Sequence, residues 1–143
     1  MPLPFHIYSD LPSCRLLELS DGRFQRIDRC PLSPFLAGYG YLIVEQPLAD
    51  FLKSQDLHGV TFKDVVLFER SSGTEIFSHT RLQVSQFFSA DQINDLQLDG
   101  PRLLRLSDEH YFVSPELKAA LEGSPFKYLS FSAGLEGFAG SSI

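Results

Sequence analysis

Apolar positions along this chain switch between two spacings, a period of two in short runs and an i, i+3, i+4 stripe in longer ones. The switches set out the predicted elements. Residues 14–19 and 23–28 flank Ser20-Asp21-Gly22, and an Asp-Gly pair supplies the positive φ of a tight hairpin turn. Phe24 and Ile27 do not alternate strictly, which predicts a bulge in the second strand. Pro31, Pro34 and Gly38 then predict a loop. A strand over 39–44 leads into a helix from Pro47 to Gln55, with proline at its start and Leu48, Phe51 and Leu52 on one stripe. Gly59 marks the turn after it.

The run 60–68 is strongly β, Ser71-Ser72-Gly73 is a turn, and 75–84 predicts a returning strand. Ser89-Ala90-Asp91-Gln92 is a capping box, predicting a short helix to about Leu96 that Asp99-Gly100-Pro101 stops. Strands follow at 102–106 and 110–113. Ser114-Pro115-Glu116 is a strong helix start, since serine caps, proline fits the first turn and glutamate favours the positive end of the dipole. Leu117, Ala120 and Leu121 form its stripe, Gly123 ends it, 126–132 is a last strand, and 133–143 reads as a Gly- and Ser-rich tail.

Two of these units match. With Val44 set against Val113, Leu48 meets Leu117 and Leu52 meets Leu121 without gaps; after a shorter loop, Phe62-Lys63 meets Phe126-Lys127. Duplication and the shared hydrophobic pattern of any strand–helix–strand unit both account for this. The predicted fold is therefore α+β, a mixed but largely antiparallel sheet with two similar strand–helix–strand units (39–68 and 102–132) and a short third helix. An N-terminal hairpin and loop (1–38) and the tail complete a single domain over 1–143.

Composition supports that reading. A chain of 143 residues suits one domain, and 43% hydrophobic and 21% charged residues are globular values. Thirteen Phe and five Tyr furnish a core without Trp. No stretch approaches the ~20 apolar residues of a membrane helix, and the first residues lack the basic start and apolar run of a signal peptide. Cys14 and Cys30 are expected as reduced thiols in a cytoplasmic protein. The net charge of −6 argues against a nucleic-acid partner and permits a basic protein partner.

Chemistry-bearing motifs are sparse. His6, His58, His79 and His110 show no zinc-site spacing, and His110 beside Asp108-Glu109 fits a solvated turn. Cys30, near Arg26 and Arg29, is the better nucleophile candidate of the two cysteines, without a base in view. Gly134, Gly137 and Gly140 lack the helix a phosphate loop needs. No catalytic residue, metal or cofactor is expected. The feature that stands out is acidic: no Lys or Arg lies between Leu82 and Pro101, while Asp91, Asp95 and Asp99 recur every four residues. On a helix they would share a face, either a contact surface for a basic partner or a solvated face. Asp108 and Glu109 extend the set of candidate partner-binding residues.

The segments Gly40-Tyr-Leu-Ile-Val-Glu-Gln-Pro-Leu-Ala-Asp-Phe-Leu-Lys, His58-Gly-Val-Thr-Phe-Lys-Asp-Val and His110-Tyr-Phe-Val-Ser-Pro-Glu-Leu-Lys-Ala-Ala-Leu-Glu resemble bacterial polymorphic-toxin immunity proteins of the DUF1629-type and double-CXXCG groups. The similarity covers 39–67 and 102–129, and the paired CXXCG motifs of that group are absent. The resemblance implies a non-catalytic antitoxin that occupies a cognate toxin or secreted effector, of the kind that type VI and other secretion systems deliver. The other function consistent with the residues is a small enzyme or ligand-binding domain with its pocket between the two units.

Overall fold

Two short apolar runs, 41–44 and 111–113, become strands buried on both faces, as their lack of polar alternation requires. The computed structural model describes residues 2–12, 14–27 and 31–136. In chain order the elements are β1 (Phe5–Ser9), β2 (Leu16–Glu18), β3 (Phe24–Arg26), β4 (Phe35–Gly38), β5 (Tyr41–Glu45), α1 (Gln46–Ser54), β6 (Val60–Asp64), β7 (Leu67–Glu69), β8 (Thr74–Ile76), β9 (His79–Val84), β10 (Leu103–Arg105), β11 (Tyr111–Val113), α2 (Pro115–Glu122) and β12 (Leu129–Ala133). The chain is mixed α+β with mostly antiparallel pairing, and none of its described helices is long and apolar enough to cross a membrane.

The strands form three four-stranded sheets, ordered β4-β5-β9-β6, β10-β11-β1-β12 and β2-β3-β7-β8. Only β3 and β7 pair in parallel among the named strands. In the first sheet β5 and β6 flank β9, with Leu42, Leu82 and Phe62 in one cross-strand row. In the second, β11 and β12 flank β1, with Tyr111, Ile7 and Phe131 in one row.

These two sheets and both helices share one core. Leu42 and Val44 of β5, Leu48 and Leu52 of α1, Tyr111 and Val113 of β11, and Leu117 and Leu121 of α2 all belong to it. The opposite face of β5 carries Tyr41 and Ile43 into a second core with Leu16, Phe24 and Leu67 of the third sheet. The opposite face of β11 carries Phe112 into a third core with Phe88, Leu98 and Leu104.

Ser114 ties the second sheet to its helix. It is fully buried, caps α2 by accepting from the Leu117 N–H (3.3 Å), accepts from the Arg102 N–H (2.9 Å) and donates to the Gly100 carbonyl (2.7 Å). Pro115 follows at the first helical position, where its missing N–H costs nothing.

Several expectations need correcting. Residues 60–68 form two strands in different sheets, because the chain crosses at Val65-Val66 and buries Val65 and Leu67 in the second core. Residues 75–84 likewise split into β8 and β9. The loop expected after Pro34 contains β4, and β1 arises between Pro4 and Pro12, where the proline-rich surroundings hid it. β3 stops at Arg26, so Ile27 lies beyond the strand. The capping box at Ser89 is present but starts only a 3-10 turn, Ala90–Gln92. Phe126-Lys127 precede β12, which begins at Leu129, instead of opening it. Cys14 is buried and disulfide-bonded where a free thiol was expected, and the chain's other cysteine, Cys30, lies outside the described residues. Of the expected tail, 137–143 also lies outside them.

Replacing Ser114 by alanine removes the cap and strands the Arg102 N–H and Gly100 carbonyl in a buried setting. A loss of about 1–3 kcal/mol is expected in urea denaturation, with Ser114→Thr recovering part of it; an unchanged midpoint would show that these bonds contribute nothing.

Candidate functional site

The first two sheets meet through their hairpin turns. The Tyr39-Gly40 turn joins β4 to β5, and the turn at 107–110 joins β10 to β11. Gly40 adopts φ +83°, a left-handed conformation that suits glycine, and its N–H donates to the Asp108 carbonyl at 2.8 Å. The second turn is stapled by Ser107, whose hydroxyl accepts from the Glu109 N–H (3.3 Å) and pairs with His110 Nδ1 at 2.8 Å. Beside the first turn, Tyr41 lays its ring against Gly38, where a Cβ would come within 2.2 Å of it. The Tyr41 hydroxyl then accepts from the Leu16 N–H at 3.0 Å, which ties the third sheet to the turn.

Along this seam runs a groove in two parts. A cleft of about 240 Å³ lies between β1 and β4, lined by His6, Tyr8, Phe35, Ala37, Glu109 and His110 among others. A second, of about 380 Å³, is lined by Arg15, Ile27, Ala37, Gly38, Tyr39 and Glu109 among others. Ala37 and Glu109 line both. Tyr39 stands 77% exposed beside them, with Ile27 (49%) and Tyr8 (38%) also open to solvent.

His6 is the most perturbed group in the groove. Its ring lies 5.2 Å from that of Tyr8, 5.3 Å from Phe112 and 5.6 Å from His110. Burial, and secondarily the charge of His110, push its pKa down to about 4, so the imidazole is neutral at pH 7. Among the described residues no group of three or more His, Cys, Asp or Glu side chains could hold a metal ion. His79 is structural: its ring bridges the Ser78 hydroxyl (2.9 Å) and the Ser33 carbonyl (3.0 Å) in a buried site.

Of the candidate acidic residues, Asp108 and Glu109 fall on this seam and Asp91, Asp95 and Asp99 do not form the expected helical face. All five are exposed. Asp91 sits in the 3-10 turn and accepts from the Ser89 hydroxyl (2.6 Å); Ala90 next to it lines an apolar cleft with Leu106 and His110. Asp99 lies before β10, at the end remote from Asp108, where its carbonyl accepts from Arg102 Nε (2.8 Å). Cys30 falls outside the described residues. His6, Tyr8 and Tyr39 were missed as site residues. An exposed aromatic beside a turn glycine is a sequence signal for Tyr39, whereas only tertiary packing brings His6 to His110.

No family model matches the chain, and no curated protein or solved structure matches it.

The folded-state pKa of His6 lies below its ordinary 6.5, so between the two values the unfolded chain binds more protons. The His6 contribution to stability is complete above pH 6.5 and is lost as pH falls towards 4. Urea midpoints measured between pH 7.5 and 4 are expected to fall more steeply for the native chain than for His6→Gln; parallel curves would contradict the buried neutral imidazole.

Proposed function

We propose that this protein is an immunity-type binding protein that occupies and neutralises a cognate bacterial toxin or secreted effector without catalysis of its own. The observation that carries the proposal is the groove, with exposed Tyr39, Tyr8 and Ile27 around it and the carboxylates Asp108 and Glu109 on the same seam. Tight interfaces concentrate their energy in aromatic anchors, and charge governs the rate and orientation of encounter. A net charge of −6 suits a basic partner. The resemblance to toxin-immunity proteins over 39–67 and 102–129 points to the same class.

We read the first two sheets as versions of one strand–helix–strand unit. In each, a hairpin leads into a proline-started helix and then a strand two places away, with an antiparallel strand between. The rows Leu42–Leu82–Phe62 and Tyr111–Ile7–Phe131 then correspond. On this reading the groove lies where the equivalent turns of the two units meet. The disulfide at Cys14 favours an oxidising compartment over the cytoplasm expected from the sequence.

A second reading, a small-molecule pocket, draws support from the cleft between the two units and its depressed His6 pKa. Co-expression with the product of the adjacent gene distinguishes the readings. Growth rescue and co-purification are expected, and Tyr39→Ala or Glu109→Lys should each weaken the complex about tenfold or more while Asp99→Lys leaves it unchanged. Absence of rescue and of a complex would sink the proposal; equal sensitivity at Asp99 would move the interface away from the groove.

A further inference from the structure

On the other side of the Tyr39-Gly40 turn, a cleft of about 180 Å³ is lined by Gly40, Arg81, Gln83, Arg105 and Tyr111 among others. Arg81 comes from β9 and Arg105 from β10, so the cleft lies between the first two sheets and is lined by a cation from each.

The two guanidiniums are held in place yet keep donors to spare. Arg81 stacks at 5.1 Å on Phe24 and Arg105 at 5.5 Å on Phe87. Arg81 donates to the Gly40 carbonyl (3.1 Å) and to Glu18 (3.3 Å). Arg105 pairs with Asp108 at 3.6 Å, beyond hydrogen-bond length. Among the described residues, the Nε atoms of both arginines are buried and find no hydrogen-bond partner. Tyr111 is set between them electrostatically: burial raises the pKa of its phenol, and Arg105 and Arg81 both pull it back.

The carboxylates of Glu18 and Asp108 are half exposed, at 3.3 Å from Arg81 and 3.6 Å from Arg105, and such surface pairs contribute little. They compete weakly for the arginines. A carboxylate ligand is saturated by one guanidinium fork, whereas a phosphate offers enough oxygens for two forks and a phenol, with a charge that balances both cations.

We propose that this cleft is a binding site for a phosphate group, either the free ion or the terminal ester of a small molecule. Arg81 and Arg105 clamp the oxyanion from two sheets, with Tyr111 lining the same cleft. Its lining shares no residue with that of the groove.

Isothermal titration with inorganic phosphate and with glycerol phosphate, against sodium chloride of equal ionic strength, tests it. Saturable binding of at least one is expected, phosphate alone indicating the free ion and both indicating that an ester is accepted. Arg81→Gln and Arg105→Gln should each raise the dissociation constant about tenfold or more, and Arg105→Lys should do nearly the same because it keeps the charge and loses the fork. Asp108→Asn, which removes a competing carboxylate and leaves the arginines intact, should tighten binding and so tests the site even if an arginine variant fails to fold. No saturable binding of either probe, or binding indifferent to all these substitutions, would overturn the proposal.

Discussion

Burial of β5 and β11 on both faces is the constraint from which the rest of the structure follows. A strand with two apolar faces needs a partner layer on each side. Val44 and Val113 meet the first requirement together, by pointing into one core that α1 and α2 close. Ile43 and Phe112 meet the second separately, so that β5 requires the third sheet and β11 requires the segment around Phe88 and Leu98. The third sheet and the long irregular stretch after β9 are therefore covers, recruited because the two central strands cannot face water.

The same arrangement produces the groove and the cleft. When two sheets share a core through their middle strands, their hairpin turns are brought together at one end, and here Gly40 and Asp108 bond across the seam. Side chains on the outer flanks of those turns have no core to enter. Tyr39 projects to solvent, Glu109 borders the groove, and Gly40 lines a cleft together with Arg81 and Arg105.

Local elements were legible in the sequence where local chemistry decided them. Asp21-Gly22 specified its hairpin, and Ser114-Pro115 specified the start of α2, because each rests on a few neighbouring residues. Sheet membership was not legible. The run 60–68 reads as one strand, since β-branched residues favour extended backbone without saying which sheet receives it. β1, the inner strand of the second sheet, was hidden because its partners are more than a hundred residues away and prolines stand close on either side. The Asp91, Asp95 and Asp99 face failed for a related reason: Ile93, Leu96 and Leu98 pack onto Leu104 and Phe112, and that burial bends the chain out of helix after one turn. Candidate site residues carried the same limits. Asp108 and Glu109 were found as turn residues, whereas the approach of His6 to His110 depends on the pairing of β1 with β11.

The first two sheets form one cooperative structure, held by their shared core. Native-state hydrogen exchange of the Ile43 and Phe112 amides under increasing urea measures it most directly. Both amides are predicted to exchange only through global opening, with the same free energy and the same denaturant dependence. Exchange at Phe112 through a lower-energy opening that leaves Ile43 protected would contradict the account, because it would show the two sheets coming apart as separate units.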